Sequence, residues 1–370
     1  LCENKTFAFI FHLNTIKKIT LLQFRNYSSG AYSFNSPITC ITGPNGSGKT
    51  NLLDAVYYLC YTKSYFSAYQ QNSVQRGLDG FRLEGVFTAG HKDETISCKW
   101  KQGKKEIYSN GAEYENITDH IGKYTAVMIA PDDTELINDG SELRRKWVDS
   151  ILGQTDKTYL EKLMHYQRIL LQRNAWLKMQ NGVMPADATT LEYYDAQLCV
   201  DGEYIFTARK EFIQVFRPLL EQFYRQLSND KEQIALTYES DLLKEKLPKL
   251  LHDSLQHDLR LQRTLKGIHK DDWELSVNDM PLKQFGSQGQ KKSFLFALKL
   301  AQYAYLTKVL GHLPILLLDD IFEKLDQHRM EALLSIINTP DFGQVILTDT
   351  HPERIRQAFG DNADIGFIHL

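Results

Sequence analysis

Gly43-Pro44-Asn45-Gly46-Ser47-Gly48-Lys49-Thr50 obliges the chain around it to be a strand, a tight loop and a helix, in that order. The octapeptide fits G-x-x-x-x-G-K-[ST] at every defined position. Ile38-Thr39-Cys40-Ile41-Thr42 before it reads as a short β-rich strand. Residues 51–61 after it read as a helix, with Leu52, Leu53, Val56, Leu59 and Cys60 at helical spacing. Gly43, Gly46 and Gly48 let the backbone curl so that its N–H groups converge on phosphate oxygens, and the helix points its N-terminus at the same anion. Lys49 then reaches the β- and γ-phosphates, and the Thr50 hydroxyl is placed to ligate Mg²⁺. All eight residues, Gly43 to Thr50, are candidate ATP contacts. The plainer alternative is a glycine-rich strand–helix turn without a ligand.

The chain of 370 residues allows one large or two moderate domains. With 42% hydrophobic and 24% charged residues it falls in the ordinary globular range. A net charge of −3 offers no bulk attraction to nucleic acid, so any such contact must come from a local basic face. Cys2, Cys40, Cys60, Cys98 and Cys199 are widely spaced with no C-x-x-C pair, which argues against a metal cluster or a disulfide framework and for a reducing compartment. No apolar run has the length of a membrane helix. Phe7-Ala8-Phe9-Ile10-Phe11 is too short for a secretory h-region and no cleavage site follows. Residues 1–14 are expected as a tail without function, and the protein as cytoplasmic.

Along the chain a strand-rich front comes first. Residues 16–24 end at the turn Arg25-Asn26-Tyr27, and Tyr32-Ser33-Phe34 follows. Segments 81–88, 95–100 and 106–110 predict an antiparallel meander, with turns at 101–104 and Asn110-Gly111. The β-rich run 124–129 stops at Ala130-Pro131-Asp132-Asp133. A helical section follows. Leu143, Trp147, Ile151, Leu160, Leu163, Ile169, Leu170 and Leu177 predict one or two long helices, and residues 194–227 another, joined by a loop over 181–187. No heptad pattern is sustained enough for an extended coiled coil. Strands return at 234–238 and 273–277, and the chain ends in an α/β segment.

Pro314-Ile315-Leu316-Leu317-Leu318-Asp319-Asp320 is a continuous apolar run ending in two acids, as a buried parallel strand does. Ligands in open α/β sheets bind at the carboxyl ends of strands. Asp319 is therefore a candidate for the Mg²⁺ shell, through water, and Asp320 for the general base or water-positioning group. The alternative is a strand capped by a turn with two solvated acids. Phe285-Gly286-Ser287-Gln288-Gly289-Gln290-Lys291-Lys292-Ser293 opens a helix through Phe294, Leu298, Ala301 and Tyr305, where Ser287 and free N–H groups form either a second anion site or a plain N-cap. Two anion sites with one phosphate loop suggest that the second serves another subunit's nucleotide. A site built from both ends of the chain predicts one α/β domain from residues 15–135 and 266–370, with 136–265 as a mainly helical arm or lid.

Phosphate loop, Gly-Ser-x-Gly-Gln signature, apolar strand with paired acids and the following Leu325-Asp326 together resemble the ABC-type ATPases. The resemblance implies two heads that sandwich two nucleotides, each signature serine touching the γ-phosphate on the opposite phosphate loop. It casts Ser287 and Gln290 in that role, and Asp326 as the D-loop acid that links the sites. Gln344-Val345-Ile346-Leu347-Thr348-Asp349-Thr350-His351 is a strand ending in a polar switch, with His351 either near the γ-phosphate or simply on the surface. Transporter heads hold their signature much closer to the phosphate loop than Gly286 lies from Gly48, whereas SMC-type chains insert a long coiled coil.

The compact helical insert is similar to that of the RecF family of recombination mediators, and the resemblance runs from about Leu21 nearly to the end. Phe24-Arg25-Asn26-Tyr27, Ala130-Pro131-Asp132-Asp133 with Arg144-Arg145, and Gly267-Ile268-His269-Lys270-Asp271-Asp272 carry it beside the motifs above. It implies that Arg25 belongs to the nucleotide site. Ile268-His269 departs from the family's usual Pro-His. Asp320, where transporters carry Glu, suits a slow ATPase that works as a timer. Gln288 stands where transporters have glycine, as in RecF. The resemblance further implies ATP-dependent homodimers on duplex, gapped or junction DNA. It implies RecO and RecR as partners and roles in gap repair, replication restart and the SOS response. Candidate DNA-phosphate contacts are Lys99, Lys101, Lys104 and Lys105 on the meander, and Arg144, Arg145, Lys146, Arg168 and Arg173 on the insert. No base-reading motif is visible, which predicts sequence-independent binding. The other readings are a transporter-type ABC subunit and a nucleotide-switched interaction module.

Overall fold

The computed structural model describes residues 12–90, 92–183, 187–228, 232–321, 326–360 and 364–370. They pack as two compact units, one from the described residues up to Pro131 together with Gln302–Leu370, the other Asp132–Ala301. Residues 266–301 thus pack with the helical unit.

In the first unit the apolar runs form a five-stranded, all-parallel sheet. Its order is Ile365–His369, Ile38–Thr42, Val345–Asp349, Ile315–Leu318 and Ala126–Ile129. The inner strands are buried at every residue, as their unbroken Ile, Leu and Val content requires. The front half forms a second, largely antiparallel sheet running His12–Phe24, Gly80–Ala89, Lys92–Lys101, Lys104–Ser109 and Ala112–Glu113, with Tyr27–Ser33 on the free side of the first strand. This is the expected meander. Its first strand opens at His12, inside the stretch expected as a tail, and also pairs in parallel with His312–Leu313.

Helix Lys49–Tyr61 lies between the two sheets and is buried almost all round, its Leu, Val, Tyr and Cys side chains packed against both and the buried Asp54 paired with Arg25. Gly85 permits its close approach, because a Cβ there would stand 2.7 Å from Leu59 Cδ1. Nearby, the buried His120 ring donates from Nε2 to the Leu59 carbonyl at 2.6 Å, and burial pushes its pKa down to about 4. The unfolded chain, with an ordinary histidine near 6.5, takes up the proton first as pH falls, so this stability is complete above about pH 6.5 and lost toward pH 4. Wild type should lose about 2 kcal/mol more than His120→Gln between pH 7 and pH 5, read from urea unfolding at both.

In the second unit the expected one or two helices over 141–179 are two, Ser141–Thr155 and Lys157–Met179. Asp156 divides them, its carboxylate accepting from the Tyr159 N–H at 3.1 Å as an N-cap. Thr189–Ser228 is a single 40-residue helix with Pro218 inside it. Strands Ile234–Glu239 and Asp272–Val277 pair antiparallel, and helix Leu247–Leu261, with proline in its first turn, lies between them in sequence. No helix among the described residues is long and apolar enough to cross a membrane.

Candidate nucleotide site

The phosphate loop follows Ile38–Thr42 at the carboxyl end of the parallel sheet and leads into helix Lys49–Tyr61. Gly48 has φ +110, and a Cβ there would stand 2.6 Å from Asn26 Nδ2, so only glycine fits. The turn at Arg25 and Asn26 supports the loop from behind. Asn26 Nδ2 donates to the Ser47 carbonyl at 3.1 Å, and the Tyr27 hydroxyl to the Gly48 carbonyl at 3.1 Å. The Lys49 ammonium donates to the carbonyls of Gly43 and Pro44 at 2.7 and 3.1 Å. The buried Ser47 hydroxyl meets no hydrogen-bond partner among the described residues. A cation and an unanswered hydroxyl within one glycine-rich loop fit a phosphate group.

Thr50 and Asp319, far apart in sequence, meet here. The Thr50 hydroxyl lies 2.9 and 3.0 Å from the two oxygens of the Asp319 carboxylate. Burial pushes the Asp319 pKa up; hydrogen bonds from Thr348 and Thr50 oppose that, and Asp320 adds to it. These hard oxygen donors suit Mg²⁺, which characteristically takes only one or two protein oxygens and completes its shell with phosphates and water. Asp320 follows with φ +48, a left-handed conformation that costs a non-glycine residue about 1 kcal/mol or more and recurs at functional sites. Thr348, which the sequence reading placed on a strand without a role, also reaches this pair of acids. Its hydroxyl donates to Asp319 Oδ1 at 2.9 Å and accepts from the Asp320 N–H at 2.9 Å.

The other expected site residues each have partners of their own. Arg25 donates to the buried Asp54 carboxylate at 2.6 Å and to the Ser64 hydroxyl at 2.7 Å. Burial pushes the Asp54 pKa up, with Arg25 pulling it back down. His351 is exposed at the start of helix Pro352–Phe359, its N–H held by Asp349 Oδ1 at 2.6 Å. Asp326 caps helix Gln327–Ile337 by accepting from the Arg329 N–H at 3.0 Å; Leu325 lies outside the described residues. In the second unit Ser287 and Gln290 form a reciprocal cap. Ser287 N–H donates to Gln290 Oε1 at 2.7 Å, and Gln290 N–H to Ser287 Oγ at 3.2 Å.

The basic candidates divide by surroundings. Arg173, expected among the DNA contacts, is instead fully buried, bonded to Asp195 at 2.6 Å and to Asp258 and Thr264 at 2.8 Å, and no DNA phosphate can reach it. Arg144 is held by a two-pronged bond to Asp272 at 2.7 and 3.0 Å, and Arg145 by the Asp271 carbonyl at 2.6 Å. On the meander, Lys101 opposes Lys104 and Lys99 opposes Glu106, which puts all four side chains on one face. Lys105 points the other way with Trp100 and donates to the Thr62 carbonyl at 2.9 Å. Lys101, Lys104, Lys146 and Arg168 are the exposed members.

The family model for the RecF/RecN/SMC N terminal domain matches residues 15–366. The DNA replication and repair protein RecF of Flavobacterium johnsoniae is 42% identical over 344 residues, 93% of this chain and 95% of that protein. The protein of the same description from Cytophaga hutchinsonii is 40% identical over 94% of this chain and 92% of its own. Among solved structures, the recombination mediator protein RecF-ATP in the RecFOR pathway aligns with a TM-score of 0.85 at 28% identity, covering 92% of this chain and 93% of that one. An Smc head bound to the C-winged helix domain of ScpA aligns with a TM-score of 0.57 at 16% identity, a likeness of fold alone.

Proposed function

Since the chain belongs to the RecF family of DNA replication and repair proteins, we propose that it is a recombination mediator switched by ATP. The observation that carries this reading is the meeting of Thr50 with Asp319 beside a glycine-rich loop bearing Lys49. On this reading Lys49 moves from the Gly43 and Pro44 carbonyls to the β- and γ-phosphates, while the loop N–H groups and Ser47 hold the same oxygens. Thr50 and Asp319 hold Mg²⁺, Asp319 through water. Mg²⁺ bound there would supply neutralisation of charge on the phosphoryl oxygens. Asp320 orients the attacking water, and its short side chain makes hydrolysis slow.

The remaining assignments rest on the resemblance. In functional terms the ATPase head takes in residues 15–135 and 266–370, with 136–265 as the arm or lid, although 266–301 pack with the helical unit. Ser287 and Gln290 complete a second protomer's nucleotide site, Asp326 links the two sites, and Arg25 and His351 act near the phosphates. The closed homodimer grips duplex or gapped DNA without reading sequence, in the cytoplasm, with RecO and RecR as partners, in recombinational gap repair, replication restart and SOS induction. The meander face with Lys99, Lys101 and Lys104 and the exposed Lys146 and Arg168 of the insert are the remaining candidate contacts, because Arg173, Arg144 and Arg145 are bound within the protein.

Light scattering with and without ATP tests the switch. Wild type should dimerise only with ATP, and Ser287→Arg should stay monomeric while still binding ATP. A wild type that remains monomeric in ATP sinks the sandwich. Retention on gapped DNA should weaken steeply with salt and depend on ATP. Binding indifferent to both would overturn the clamp.

A further inference from the structure

Parallel pairing of Leu318 with Leu347 sets the register at the edge of the nucleotide site. The next residue on each strand is Asp319 and Thr348, so the two stand side by side at the carboxyl end of the sheet. Both are buried, Thr348 at 1% exposure and Asp319 at 4%. The Thr348 hydroxyl has one proton and uses it on Asp319 Oδ1 at 2.9 Å. Its lone pair accepts the N–H of Asp320 at 2.9 Å. One hydroxyl therefore joins the side chain of the first acid to the backbone of the second.

Both ends of that bridge need it. Without it the Asp319 carboxylate would keep the Thr50 hydroxyl, the group it must share with the metal, but lose the bond that fixes its rotation. Asp320 sits at φ +48, a conformation that surroundings must impose on a residue with a Cβ. A donor–acceptor pair on a rigid inner strand imposes both at once.

We propose that Thr348 is a positioning residue for ATP hydrolysis, fixing the Asp319 carboxylate and the Asp320 backbone in one geometry through a single hydroxyl. The proposal rests on the reading of this site as an ATPase. Thr348 touches no nucleotide in it, so ATP affinity is spared while the reacting geometry is not.

Steady-state ATP hydrolysis and titration with a fluorescent ATP analogue test it on Thr348→Val, Thr348→Ala and Thr348→Ser in the full chain. Valine keeps the shape of threonine and removes the hydroxyl; alanine removes the same hydroxyl with a smaller side chain, so a fold defect in one leaves the other to read. Both should lower kcat about tenfold to a hundredfold, the scale of a misplacement near one ångström, with KM and analogue affinity within about twofold of wild type. Serine, which keeps the hydroxyl, should restore kcat to within about threefold. Turnover of valine and alanine variants equal to wild type overturns the positioning role alone. Serine losing as much as valine also overturns it, since packing would then be the cause. A wild type that binds ATP but never turns it over overturns the ATPase reading and this proposal with it.

Discussion

Lys49→Met should lower ATP affinity about a hundredfold and leave no measurable hydrolysis. Lys49 is nearly buried, at 9% exposure, and its ammonium donates to the carbonyls of its own loop at 2.7 and 3.1 Å. Methionine matches much of the aliphatic stem, so the helix start keeps its packing while the charge disappears. What is lost is a charge-assisted contact to phosphate, worth about 1.5–3 kcal/mol, or roughly tenfold to more than a hundredfold. The same change frees two loop carbonyls from their donor, but these face the site and water answers them. Isothermal titration with ATP, beside a thermal melt, reads both quantities. A variant that melts with wild type and binds ATP within threefold of it would overturn the assignment of Lys49 to the phosphates.

The second large effect concerns the helical unit. Arg209→Met should destabilise it by about 3–5 kcal/mol. Arg209 is 1% exposed and donates to Asp149 at 2.8 Å, to Asp271 at 2.8 Å and to the Ile268 carbonyl at 2.7 Å, with its guanidinium over the Trp273 ring. It joins helices Ser141–Thr155 and Thr189–Ser228 to the segment before strand Asp272–Val277. Burial pushes the Asp271 pKa up and Arg209 opposes this, so removing the cation leaves a buried carboxylate without its main counter-charge. Lysine should rescue little, because one ammonium cannot span three acceptors set out for a planar fork. Arg209→Met combined with Asp271→Asn should recover part of the loss, since both charges then leave together. Urea unfolding followed by tryptophan fluorescence distinguishes these outcomes. Equal stability of Arg209→Met and wild type would show that the network contributes nothing net.

Much of this was legible in sequence where the signal is local. The phosphate loop and the Leu-Leu-Leu-Asp-Asp strand declare themselves because backbone curvature and burial dictate residue type position by position. The meander was readable because its turns and alternation are short-range. Arg173 was misjudged as a DNA contact because its neutralising partners, Asp195 and Asp258, lie on other helices. A buried arginine and a solvent-facing one look alike until the helices pack. Asp156 was missed as a helix boundary because apolar spacing carries on across it. Thr348 had no distinguishing local signal at all: its role depends on the register between two strands, and register is a property of the folded sheet. Helix Leu247–Leu261 did carry a signal, Leu247-Pro248 at its start and Leu251 and Leu259 on its buried face, which went unread.

The strand order has a consequence for biosynthesis. Ile38–Thr42, which carries the phosphate loop, is flanked by Val345–Asp349 and Ile365–His369. A nascent chain therefore displays its phosphate loop early, on a strand with neither of its neighbours yet made. Long-range parallel pairing of this kind is slow, and unpaired apolar strands are prone to aggregate. On the proposed reading ATP can bind only once both neighbouring strands have been made, and so stabilises chains elongated past them.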